Sequence, residues 1–232
     1  MYYVEQHPSY NLGNFINCTP TLRWLAERDG RPVPVLFHTD YVRQCFLDCP
    51  FIEEIEIPVG KRLFGSELIC RRNTEADYAY IFRTVTGEQW SDRWHTYVDR
   101  PEAPAEFHIP IVVNGSGSER EGYVASKDVG PEPFLAAGSS LFVGSEADLA
   151  RNPWATSHHV GNIRTALAYI ADAPCVIAND TGLAHAAGAM NKPLLVLWKD
   201  TPFPRCGNPG KHTEYSFNNH TDAVAEFVSR FV

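Results

Sequence analysis

The residues best placed to do chemistry run Pro174-Cys-Val-Ile-Ala-Asn-Asp-Thr-Gly-Leu-Ala-His-Ala-Ala-Gly-Ala-Met190. The apolar stretch Cys175 to Ala178 reads as a buried strand, and the chain then turns into a helix over Thr181 to Met190. Asp180 or Thr181 caps that helix, because either side chain can accept from the amides of the first turn. Gly182 allows a ligand close to the backbone. A helix N-terminus offers amides without intrahelical acceptors and a partial positive charge, which suits a diphosphate. His185 follows Thr181 by four residues and shares its side of the helix. Ala184, Ala186, Ala187, Gly188 and Ala189 are small enough to seat the helix tightly on a sheet. By its residues alone the stretch fits either an anion site or an ordinary capped helix of an α/β domain.

The elements that would position these residues are legible on both sides. Tyr2 to Gln6 reads as a strand, followed by the turn-rich loop His7 to Asn14. Thr19-Pro20 has the form of a helix start, with Leu22, Trp24 and Leu25 as the apolar face. Val33 to His38 is a second strand, Asp40 to Cys49 a helix, and Phe51 to Pro58 a third strand. Strand, helix, strand, helix, strand is the doubly wound pattern. Residues 60–105 are rich in aromatics (Tyr78, Tyr80, Phe82, Trp90, Trp94, Tyr97), read as core with a preference for helix; the alternative is a wall on the acceptor side. Arg100 to Glu106 reads as a linker. A second α/β unit follows: strands at Ile109–Val113, Leu141–Val143, Cys175–Ala178 and Leu194–Trp198, and helices at Asn162–Asp172, Thr181–Met190 and Asp222–Phe231. The expected domains are 1–105 and 106–232.

The 232-residue chain has 44% hydrophobic residues and a formal charge of -8. It can build a packed core, and broad affinity for polyanions is disfavoured. The six cysteines form no CxxC pair and read as reduced, packed thiols of a cytoplasmic protein. Neither a signal peptide nor a membrane span is expected.

Asn179 to Trp198, NDTGLAHAAGAMNKPLLVLW, resembles the signature of the ADP-heptose:lipopolysaccharide heptosyltransferases, glycosyltransferase family 9. The preceding GNIRTALAYIADAPCVIA resembles the helix and strand that lead into it. Lys127-Asp-Val-Gly-Pro-Glu-Pro-Phe134 resembles the family's lysine-containing segment, and Gly144-Ser-Glu146 its Gly-x-x-Glu strand end. Gly13-Asn14-Phe-Ile-Asn-Cys-Thr-Pro-Thr-Leu22 resembles its opening. The likeness is specific over 110–200, weaker over 1–60 and absent over 60–105.

The resemblance implies a GT-B-like α/β fold of two Rossmann-like domains, the N-terminal one reduced, and a metal-independent, inverting transfer from a nucleoside-diphosphate sugar. That sugar nucleotide is the donor substrate; no cofactor is implied. Thr181 and Gly182 would contact the donor diphosphate, Asp180 and His185 the sugar and phosphate end. Lys127 would neutralise phosphate, and Glu146 would hold the ribose or base side. Surface charge is the plainer account of Lys127 and Glu146. Where the family carries a carboxylate the chain has Asn14, which cannot accept the acceptor's proton. His7 is the expected substitute base, against a simple turn histidine. The acceptor would be a saccharide or glycolipid. A silent nucleotide-sugar binder is the alternative that Asn14 favours. A transferase acting on modified DNA bases would need a basic groove from Arg62, Arg71, Arg72, Arg83, Arg93 and Arg100, whose charge the acids interleaved among them largely offset.

Overall fold

The computed structural model describes residues 1–8, 12–68, 75–102, 108–115, 129–198 and 210–232. The chain divides into two compact units, one over Met1–Asp99 and the other beginning at Arg100.

In the first unit, β1 (Tyr2–Gln6), β2 (Val33–Phe37), β3 (Ile52–Ile55) and β4 (Lys61–Gly65) form a parallel sheet in the order β3-β2-β1-β4. β1 is flanked by β2 on one side and β4 on the other, so the winding direction reverses beside it. Open α/β sheets bind ligands at such a reversal, outside the carboxyl ends of the strands.

Helix α1 covers Leu12–Asp29 and starts well before Thr19. Pro20 lies inside it, and Thr19 is therefore no cap. A proline lacks the amide that would bond the carbonyl four residues back. The Thr19 hydroxyl donates to that Ile16 carbonyl instead, at 2.7 Å. The buried residues Leu12, Phe15, Ile16, Leu22 and Leu25 keep helical spacing straight through the Thr-Pro pair, so packing decides in favour of a continuous helix.

The helix expected from Asp40 is α2 (Asp40–Arg43), which tightens into a 3-10 turn at Gln44–Phe46. In 60–105, helix is found only at α3 (Asp77–Thr86) among the described residues; Lys61–Gly65 is a strand. β4 pairs with β1 alone. An edge strand tolerates the charges of Lys61 and Arg62, which hid it from a hydrophobicity reading. The aromatics pack as a core in part: Phe82 and Trp94 are buried, their rings 5.7 Å apart, while Tyr78, Tyr80 and Trp90 are half-exposed.

The second unit holds a six-stranded parallel sheet in the order β10-β9-β8-β5-β6-β7. Its strands are β5 (Ile111–Val113), β6 (Leu141–Gly144), β7 (His158–Val160), β8 (Val176–Asn179), β9 (Leu194–Leu197) and β10 (Thr213–Ser216). The short edge strands β7 and β10 lie outside the expected set. β5, β8 and β9 are buried at every position, as continuous apolar runs in a parallel sheet should be. The helices are α4 (Glu132–Leu135), α5 (Glu146–Arg151), α6 (Ile163–Asp172), α7 (Gly182–Ala189) and α8 (His220–Val228). Phe134, Phe142, Ile177, Leu197, Val224 and Phe227 belong to one core cluster. Here the winding reverses at β5, between β6 and β8.

Candidate functional site

The β5–β8 reversal holds four of the residues singled out from sequence: Asp180, Thr181, Gly182 and His185. β8 ends at Asn179, and Thr181 adopts extended backbone angles before α7. Thr181, and not Asp180, is the cap: its hydroxyl accepts from the Ala184 amide at 3.4 Å, and its carbonyl from the His185 amide at 3.2 Å. The amides of Gly182 and Leu183 belong to the first turn, where no intrahelical acceptor exists.

Asp180 and His185 are almost wholly buried, with 3.4 Å between Asp180 Oδ1 and His185 Nε2. His185 Nδ1 is buried and has no partner among the described residues. Ala184, Ala186, Ala187 and Gly188 are buried against the sheet, as their size suggested.

Gly115 follows β5 by two residues and sits against the same corner. The Asn179 carboxamide accepts from the Gly115 amide at 3.1 Å and donates to its carbonyl at 2.7 Å. A Cβ at Gly115 would lie 3.1 Å from Thr181 Cγ2 and 3.6 Å from Asp148 Oδ1. Asp148 belongs to α5, where it forms a reciprocal capping box with Ser145 and accepts from Arg151 at 2.6 Å. Of the two acids in this segment, Asp148 is therefore the one beside Gly115. Glu146 stands exposed in the first turn of α5. Asn114, Asn152 and Asp148 were missed by sequence reasoning; the position of Asn114 at the end of a buried strand was the available signal. Lys127 lies outside the described residues.

In the first unit, His7 follows β1, and its amide donates to Ser66 Oγ at 3.0 Å. The buried Gln6 carboxamide donates to the His7 carbonyl and accepts from the His38 amide, joining the ends of β1 and β2. Glu5 Oε1 is 2.8 Å from His38 Nε2, and the other Glu5 oxygen faces Arg62, which also reaches Glu67. Asn14 lies half-buried in the first turn of α1. Its carbonyl accepts from the Cys18 thiol. The His38–Glu5 pair was also missed, since its partners are 33 residues apart in sequence.

Cys18, Cys45, Cys49 and Cys175 are buried; burial pushes the Cys175 thiol up to about 11 and the Cys49 thiol up to about 12. Among the described residues no group of three His, Cys, Asp or Glu side chains could hold a metal, and no helix is long and apolar enough to cross a membrane. Of the six arginines, Arg62, Arg83 and Arg93 form ion pairs with glutamates and Arg100 donates to the Met190 carbonyl; Arg71 and Arg72 lie outside the described residues.

Residues 161–230 match the family model described as glycosyltransferase family 9 (heptosyltransferase), which bears out the resemblance read from the signature. The fold is similar to that of Escherichia coli ADP-heptose lps heptosyltransferase II, with a TM-score of 0.73 at 15% identity, over 100% of this chain and 98% of that one. It is likewise similar to the glycosyl transferase family 9 protein of Veillonella parvula DSM 2008, with a TM-score of 0.70 at 14% identity, over 100% and 90% of the two chains. E. coli heptosyltransferase WaaC with ADP gives a TM-score of 0.67 at 13% identity, over 100% of both. The α/β fold with parallel sheets is thus the GT-B-like fold of the heptosyltransferases. No curated protein is similar to the chain in sequence at a significant level.

Proposed function

We propose that the protein transfers a sugar from a nucleoside-diphosphate sugar to an acceptor hydroxyl, without a metal and with inversion. The observation that carries this reading is the capped N-terminus of α7, set at the winding reversal of the second sheet and inside the stretch that matches the family. The open amides of Gly182 and Leu183 and the helix dipole would receive the donor diphosphate and stabilise it as it leaves. Lys127 would add positive charge, by resemblance alone. Asp180 and His185 would border the sugar, and Glu146 the ribose. His7 would be the base toward the acceptor, a saccharide or glycolipid. The buried thiols Cys18, Cys49 and Cys175 accord with a cytoplasmic enzyme.

A silent nucleotide-sugar binder is the second reading, favoured by Asn14 in place of a carboxylate. For the DNA-directed alternative, the ion-paired arginines speak against a basic groove.

The test is calorimetry with ADP, UDP, GDP and their sugars, in EDTA and with magnesium, followed by assay of nucleoside-diphosphate release. Binding in EDTA with release on acceptor addition is expected. Binding that disappears in EDTA and returns with magnesium overturns the metal-free mechanism. Binding without release for any acceptor selects the silent binder.

A further inference from the structure

We propose that Asn179 and Asn152 are positioning residues: two buried carboxamides that clamp Asn114-Gly115 from opposite sides and set this loop against the diphosphate site. The inference rests on the donor site placed above at α7.

The β5–β8 pairing ends at Val113 and Ala178, where the strands must part to open a crevice. Beyond that point the backbone groups of Asn114 and Gly115 have no strand partner among the described residues, and buried backbone groups must be satisfied. On one side Asn179 supplies both partners of the Gly115 peptide groups. On the other side Asn152 Nδ2 donates to the carbonyls of Asn114 and Asp148, at 2.9 and 2.7 Å. Asn152 Oδ1 accepts from Asn114 Nδ2 at 2.8 Å and from Trp154 Nε1 at 3.1 Å. Its two donors and two acceptor sites are thus all used. Asn179 is 1% exposed and Asn152 3%, so neither is held by solvent.

What the clamp fixes is the contact between the loop and the cap of α7. Gly115 packs on the Thr181 methyl so closely that a Cβ would be crowded. The Thr181 hydroxyl holds the Ala184 amide in the same turn that presents Gly182 and Leu183. A loop released from either carboxamide drifts from Thr181 and changes the shape of the anion site without touching the ligand itself.

The test is Asn179→Asp, with ADP, UDP and GDP as probes. The carboxylate this substitution introduces, when ionised, still accepts from the Gly115 amide but opposes the Gly115 carbonyl, leaving it without a donor. When protonated, the same carboxyl donates again. Burial and the facing carbonyl raise its pKa. The protonated, clamp-competent form therefore returns as pH falls through that raised value. The expected result is affinity lowered by roughly 10-fold or more at pH 8, the size expected for a buried carbonyl that loses its donor. Recovery to within a few-fold of wild type is expected near pH 5. Asp148, Arg151, Asp180 and His185 surround the corner in both proteins, and the nucleotide's own ionisation is common to both, so the ratio to wild type isolates position 179. Asn152→Asp provides the same test from the other side should Asn179→Asp fail to fold. A ratio that stays constant with pH, or near one throughout, overturns the clamp while wild-type binding stands. A wild type that binds none of the three probes overturns the donor site, and the clamp with it.

Discussion

His185 Nε2 lies 3.4 Å from Asp180 Oδ1, with both side chains buried beside the first turn of α7. Taking the imidazole away removes one neighbour of a buried carboxylate, and such a lost contact costs about 1–3 kcal/mol. His185→Ala is accordingly expected to destabilise the fold by that order. Asp180→Asn in that background should cost less than in wild type if the two side chains support each other. Denaturant unfolding of the four proteins of the cycle measures the coupling. A coupling near zero would show that the two groups contribute to stability independently.

Gly115 and Thr181 make a second testable contact. Gly115 does not need positive φ, so Gly115→Ala acts through its methyl, which would meet Thr181 Cγ2 at 3.1 Å. Nucleoside-diphosphate affinity should fall several-fold. Thr181→Ser deletes the opposing methyl and keeps the capping hydroxyl, so the double variant should return close to wild type. If Thr181→Ser gives no relief, the contact does not shape the site.

The Thr19 hydroxyl has two partners in the first unit: it donates to the Ile16 carbonyl and accepts from the Tyr97 amide at 2.8 Å. Thr19→Val leaves both buried groups unpaired. A loss of about 2–4 kcal/mol is expected at roughly 1–2 kcal/mol for each group. Pro20→Ala restores a helical amide toward Ile16 and should recover about half. Thermal unfolding checks both, and an unaffected Thr19→Val would mean the two groups find other partners.

The same residues show where sequence reading stops. Thr-Pro has the chemistry of a helix start, and only the apolar spacing from Leu12 to Leu25 reveals that packing overrides it. β8, α7 and β9 were legible because continuous apolar runs, a capping residue and small residues agree within one local stretch. β4 was not, because its pairing with β1 is nonlocal and its own pattern is mixed. At the site, the local motif Asn179 to His185 could be read directly. The carboxamides that support it could not be, since Asn152 meets Asn114 across 38 residues and Asn179 meets Gly115 across 64. For Glu146 the likeness pointed at an exposed carboxylate, whereas the acid beside Gly115 is Asp148, two residues on.

The last prediction concerns the group that removes the acceptor's proton. Inverting transfer needs a base as the new bond forms, and such help is typically worth about 10²–10⁴-fold in rate. Asn14 cannot supply it. His7 follows β1 at the carboxyl edge of the first sheet, where its amide is tied to Ser66 and its carbonyl to Gln6, so its backbone is fixed. The neighbouring strand end carries a second imidazole, His38, which Glu5 orients through a 2.8 Å contact at Nε2. A carboxylate that orients a histidine is the arrangement that favours one tautomer and steadies the imidazolium. His7→Ala should lower turnover by roughly 10²-fold or more, measured as nucleoside-diphosphate release with acceptor present. If His7→Ala stays within a few-fold of wild type while His38→Ala collapses, the base is the imidazole held by Glu5. If neither variant matters and Asn14→Asp alone creates turnover, the natural protein binds its nucleotide sugar without transferring it.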